Sequence, residues 1–228
     1  ANEIRLAGLD EKEVLVDGIR WHYYTRHAEA DNCIVLVHGI TAEADHWLRF
    51  ARSIPKQKCL IIPDLAGFGR SQYRADIGYS YIQQTQRFEH FLDAVAPTRH
   101  FDLVGSSGGG FITSLYALEN PNSVMTLTLM GSPGITPTHK SAADLYREKT
   151  GRWYDDVRTR ADFDASLNMA MNQQPWMPKS VRNYLADQRI EQNKAYMEIL
   201  TLVRLGPMLN DRLSAIKVPT FVVWGSAD

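Results

Sequence analysis

Gly105-Ser106-Ser107-Gly108-Gly109 sits between a short apolar run that starts at His100 and a segment with helical spacing that continues to Asn120. A serine framed by glycines in this way reads as a sharp strand-to-helix turn carrying a nucleophile. Its hydroxyl stands above the sheet in a strained backbone conformation, which persists only where the neighbours have almost no side chain. Two adjacent serines compete for the role. In the G-x-S-x-G frame Ser107 has Gly105 two residues before it, whereas Ser106 would have Val104 there, a β-branched residue where strand and helix approach most closely. Ser107 is therefore the candidate nucleophile. At a helix N-terminus it also stands beside free backbone N–H groups, beginning with that of Gly108, which suit a developing oxyanion. The chemistry indicated is acyl transfer; a glycine-rich turn without chemistry is the other reading of the pentapeptide taken alone.

The elements that must position this turn alternate along the chain. Residues 13 to 26 alternate around Asp17-Gly18, a strong hairpin signal. Cys33 to Val37 is a continuous apolar run, as in a strand covered on both faces, and ends in His38-Gly39-Ile40-Thr41. A helical pattern follows from about Ala44 to Ile54, then a buried strand from Cys59 to Ile62 that ends in Pro63-Asp64-Leu65-Ala66-Gly67-Phe68-Gly69-Arg70-Ser71. Ser80 and Gln83 form a capping box for an amphipathic helix reaching Pro97. Val124 to Met130 and Val218 to Trp224 read as further strands. Alternating strands and helices with glycine-rich strand ends predict an α/β fold with a mostly parallel sheet and helices on both faces.

From residue 133 to residue 217 the rhythm breaks. This section shows no strand alternation but several helical stretches, among them Ser141 to Lys149 with a Ser-x-x-Asp capping box and a pattern from Pro178 to Leu205. It reads as a helical lid inserted after the sixth strand, between a first core part (1–132) and a continuation of the core (218–228). Such an insertion follows the strand end where ligands bind in open α/β sheets. Five of the seven methionines fall within it, which fits either a channel for flexible acyl chains or the lid's own core. It carries 13 Lys and Arg against 10 Asp and Glu, compatible with an anionic lipid surface and equally with an ordinary solvated face.

Composition excludes other classes. A formal net charge of −1 and a pI near 6.7 give no basic stripe for nucleic acid. No apolar run is long enough to span a bilayer. Cys33 and Cys59 each open an apolar run and read as small core residues of two strands; without CxxC spacing they do not indicate zinc or redox chemistry. No metal or cofactor is expected.

With LVHG, PDLAGFGRS, LVGSSGGG and VPTFVVWGSAD in that order, the chain resembles the α/β-hydrolase superfamily over nearly its whole length. The loop HGITAEADHW, the FARSI helix end and the stretch PWMPKSVRNYL (175–185) are similar to monoacylglycerol-lipase-like serine hydrolases, a group that includes bacterial lipases and membrane-anchored phospholipases A. The resemblance implies Ser107 as nucleophile, the backbone N–H groups of Ile40 and Gly108 as oxyanion hole, and Asp228 as triad carboxylate. Trp176 and Met177 fall where the lid would line the substrate channel. It implies an ester hydrolase that releases fatty acids from acylglycerols or (lyso)phospholipids through an acyl-enzyme, acting on lipid and without a cofactor. A carbon–carbon bond hydrolase of the same fold, or a catalytically silent ligand-binding relative, is the alternative. A soluble domain is expected, with any membrane association provided by a segment before Ala1.

Two departures stand out. Gly108 replaces the larger residue common after the nucleophile, and Ser106 a commoner His or Asn, so a looser elbow and a roomier acyl pocket are expected. In this family the triad runs Ser, Asp, His, and all seven histidines precede Asp228. The triad histidine, with a last strand and helix, is therefore expected after residue 228.

Overall fold

The computed structural model describes residues 2–97, 100–204 and 208–226. Helix α1 (Asn2–Ala7) leads into β1 (Asp10–Val16) and β2 (Ile19–Arg26), an antiparallel hairpin with Val16 opposite Ile19. Asp17 and Gly18 at its tip both have positive φ, 52° and 69°, as a two-residue turn that follows the twist of its strands requires. After it come β3 (Asn32–Val37), α2 (Leu48–Ala51), β4 (Cys59–Pro63), α3 (Tyr81–Val95), β5 (His100–Ser106), α4 (Gly108–Glu119) and β6 (Val124–Met130). Strand β7 (Thr220–Val223) lies far along the chain, beyond α5 (Ala142–Thr150), α6 (Arg160–Ala170), α7 (Lys179–Glu191) and α8 (Asn193–Arg204). One sheet has the order β1-β2-β4-β3-β5-β6-β7, and every pairing from β4 onward is parallel.

Alternation along the strands puts helices on both faces. Tyr24 packs with Ala7, Trp47, Leu48 and Ala51 on the α1/α2 side. Its neighbour Tyr23 meets the ring of Phe91 from α3 on the other, where Trp21 stacks on the same phenylalanine at 4.7 Å. Cys33 and Cys59 do lie in buried strand positions, and they face each other across β3 and β4 in register, 4.6 Å apart at Cα, joined by a disulfide.

Two compact units result: Ala1–Ile135 with Ile199–Gly225, which holds the sheet, and Thr136–Glu198 with Ser226–Asp228, which is helical among its described residues. The helical unit has its own core of Val157, Phe163 and Ala186, with Leu167, Leu185 and Ile190 against it. Capping boxes start two of its helices, Ser141 with Asp144 and Thr159 with Asp162. Around buried Asp156 converge Arg152, Arg158 and the Asn193 amide. No helix among the described residues is long and apolar enough to cross a membrane.

The helix expected from Ala44 to Ile54 is instead a 3-10 turn, Ala44–Trp47, followed by the single α-turn of α2. The pattern from Pro178 to Leu205 is two helices broken at Gln192, where Asn193 turns its side chain to the Val157 N–H and to Asp156.

Candidate active site

Ser107 directly follows β5 and caps α4 with φ 50° and ψ −127°, one of four non-glycine residues with positive φ among those described. Its N–H bonds to the Met130 carbonyl at 2.8 Å and its carbonyl accepts from the Gly110 N–H at 2.8 Å, so both sides of the strained residue are held. The side chain is exposed and makes no cap bond to its own helix. A Cβ on Gly105 would lie 2.5 Å from the Gly110 Cα, which locates the close approach of strand and helix two residues before Ser107. Val104 could not occupy that position, which is the physical basis for reading Ser107 rather than Ser106 as the residue at the turn.

The loop after β3 passes directly beside this serine. A Cβ on Gly39 would come within 2.9 Å of the Ser107 Cβ and 3.5 Å of its Oγ, and one on Gly108 within 2.4 Å of the Ile40 Cγ1. Gly39, Ile40, Ser107 and Gly108 therefore form one cluster. The loop closes through the Ala42 N–H to the Gly39 carbonyl at 3.0 Å, with Thr41 at φ 67°. His38 fixes its other side. The buried ring donates from Nδ1 to the Gly39 carbonyl at 2.7 Å and accepts at Nε2 from the Leu65 N–H at 2.9 Å. Burial also holds its pKa below the usual value, so the ring is neutral and both nitrogens are engaged. The looser elbow expected from Gly108 is not what the structure contains, because Ile40 and the Tyr81 hydroxyl fill the space a side chain there would take.

Residues 32–228 match the alpha/beta hydrolase fold family. The chain belongs to that family. It is similar to Lipase 1 of Psychrobacter immobilis, 29% identical over 221 residues, which are 94% of this chain and 68% of the lipase. A monoacylglycerol lipase of Xenopus laevis is 28% identical over 220 residues, 90% of this chain and 64% of that protein. The crystal structure of a bacterial membrane phospholipase A superposes with a TM-score of 0.92 at 32% identity, covering 98% of this chain and 72% of that one. The chain spans about two-thirds of the length of these curated relatives. The resemblance to monoacylglycerol-lipase-like hydrolases is borne out, and with it the hydrolase class.

Of the expected site residues in this α/β hydrolase, Ser107, Gly108 and Ile40 are brought together as described. Asp228 lies outside the described residues; β7 ends five residues before it. Trp176, 88% exposed, and half-buried Met177 belong to the helical unit. Among the histidines, His27 and His100 stand where β2 ends and β5 begins, at the opposite end of the parallel strands from Ser107. His90 bonds to Asp17 at the hairpin tip.

His22 has a role that sequence reading does not find. Its ring is buried between Asp64 Oδ2, 2.7 Å from Nδ1, and Glu11 Oε1, 2.9 Å from Nε2. Asp64 in turn accepts from the Ala44 N–H at 2.6 Å and the Arg70 N–H at 3.0 Å, so the pair ties β2 to the loop that carries Ile40. Burial opposes charge on His22, but the bond to Asp64, that carboxylate's charge and the bond to Glu11 outweigh it, against a smaller opposing effect of Arg70, and raise its pKa above 6.5. Burial likewise opposes charge on Asp64, yet the His22 bond and the two N–H groups keep its pKa below 3.8. Because the folded value of His22 is raised, its contribution is complete below pH 6.5 and is lost as pH climbs through that folded value. Asp64 has the reverse sign and loses its contribution only as pH falls below 3.8. The gap in thermal midpoint between the protein and His22→Gln is therefore expected to be constant below about pH 6.5 and to narrow as pH rises through the raised folded value. A gap that stays constant throughout would mean that His22 is not charged in the fold.

Proposed function

We propose that this hydrolase is a serine carboxylic ester hydrolase that releases fatty acids from acylglycerols or (lyso)phospholipids through an acyl-enzyme. The observation that carries the reading is the exposed Ser107 at φ 50°, beside Gly39, with the following Gly108 against the Ile40 side chain. In the proposed reaction Ser107 Oγ attacks the acyl carbonyl and gives its proton to a histidine acting as general base. The N–H groups of Ile40 and Gly108 hold the oxyanion, each such donor being worth about 10²–10³ in kcat. Asp228 keeps the imidazole in the tautomer that accepts the proton and stabilises it once charged. The imidazolium then protonates the leaving alcohol, and water attacks the acyl-enzyme with the same histidine as base, which returns Ser107 and a fatty acid.

In the same proposal the helical unit acts as the lid, with Trp176 and Met177 lining the acyl channel, and the substrate is met at a lipid surface. The names of the relatives, lipase, monoacylglycerol lipase and phospholipase A, support a lipid ester as substrate. The test is turnover of a series of monoacylglycerols, lysophospholipids and nitrophenyl esters by the full-length protein, with released fatty acid identified by mass spectrometry. Trp176→Ala and Met177→Ala are expected to lower long-chain turnover several-fold more than short-chain turnover. Equal loss on both would place these residues in lid packing, and no fatty acid from any lipid ester would refute the substrate class.

A further inference from the structure

Tyr81 opens α3, where the Ser80–Gln83 capping box fixes its backbone. Its ring lies flat on Phe111, with centroids 4.0 Å apart and planes at 15°. Phe111 is three residues along α4 from Gly108, so the stack fixes the phenol to the helix whose N-terminus bears Ser107. The hydroxyl lies 3.1 Å from where a Cβ on Gly108 would stand, beside the Ile40 side chain that fills the rest of that space. It thus borders both residues whose N–H groups form the proposed oxyanion hole. Half-buried phenols normally find a hydrogen-bond partner. Tyr24 donates to Asp45 at 2.6 Å and Tyr79 to the Arg74 carbonyl at 3.1 Å, but the Tyr81 hydroxyl has no hydrogen-bond partner among the described residues.

We propose that the Tyr81 hydroxyl is a third oxyanion donor, giving its O–H hydrogen bond to the acyl carbonyl oxygen as that oxygen gains charge in the attack by Ser107. The proposal rests on the serine-hydrolase reading. Gly108 is what makes room for it: any larger residue there would displace the phenol, so the missing side chain after the nucleophile and the tyrosine at the head of α3 form one device. Burial, against a smaller opposing effect of Arg204, pushes the Tyr81 pKa up to about 12. The phenol therefore stays protonated, and able to donate, throughout the neutral range. No proton is transferred, because the phenol only donates a hydrogen bond that strengthens as the carbonyl becomes an oxyanion.

The test is Tyr81→Phe in the full-length protein, which removes the hydroxyl and keeps the ring on Phe111. Turnover of a nitrophenyl acyl ester is expected to fall by about 10–10², somewhat less than the loss of a sole side-chain donor, with KM within about twofold. Affinity for a trifluoromethyl ketone of the same acyl length, whose serine adduct carries an ionised oxygen, should weaken by the same factor as kcat/KM. The thermal midpoint should stay put, since the stacking is retained. An unchanged kcat would overturn the proposal, and so would a fall in kcat with unchanged ketone affinity, which is the pattern of a role at the leaving group. Fluorophosphonate labelling of the wild-type protein separates the two levels. Ser107 labelled with Tyr81→Phe fully active sinks only the tyrosine, whereas an unlabelled Ser107 sinks the serine-hydrolase reading and this proposal with it.

Discussion

Ser107→Ala is expected to lower ester turnover by the full-length protein by about 10⁶-fold, the scale seen when a serine nucleophile is removed from an intact triad. The substitution should barely affect the fold. The backbone at residue 107 is held by the bonds to Met130 and Gly110, neither of which uses the hydroxyl, and alanine bears the positive φ of 50° no worse than serine. Ser106→Ala, one residue away in the last position of β5, should keep most of the activity. Steady-state hydrolysis of a monoacyl ester with circular dichroism on both variants makes the comparison. Comparable losses in the two would remove the distinction that the close approach at Gly105 draws between the serines.

Asp228→Asn is expected to depress turnover by roughly 10⁴ without unfolding the protein, the effect of neutralising a triad carboxylate so that the histidine takes the wrong tautomer. The position follows β7, the parallel neighbour of β6, whose last residue Met130 lies beside Ser106 of β5. The C-terminal end of β7 therefore lies at the same end of the sheet as Ser107. Retention of activity within about tenfold would show that another carboxylate orients the base.

Much of this site was legible because it depends on backbone sterics. Glycine at 105 and 109 is required by backbone atoms that approach within 2.6 Å of a hypothetical Cβ, and only glycine meets such a demand, so the pattern is written in the sequence. The hairpin at Asp17-Gly18 and the box at Ser80 are equally local and equally plain. Helix α6 carries the same kind of signal in Thr159 and Asp162, and attention to it would have located that helix. What could not be read depends on tertiary partners. Helix α1 is only six residues long, and its last carbonyls are held by Arg26 and Lys56 from elsewhere in the chain. The Cys33–Cys59 bond needs the register of β3 on β4. His22 stands in a strand buried along nearly all its length, so alternation does not single it out, and its partners are 11 and 42 residues away. The filling of the space beside Gly108 joins residues 40, 81 and 108, and the absence of a side chain pointed in the sequence to an open elbow where folding produces a packed one.

The central claim is that Ser107 is the residue acylated during turnover. Reaction of the full-length protein with a fluorophosphonate carrying an alkyl chain, followed by intact-mass measurement and peptide mapping, addresses it directly. One phosphonyl group per chain is expected, located on Ser107, with ester hydrolysis lost in step with labelling and no adduct on the Ser107→Ala protein. An adduct on any other residue, or labelling that survives Ser107→Ala, would contradict it.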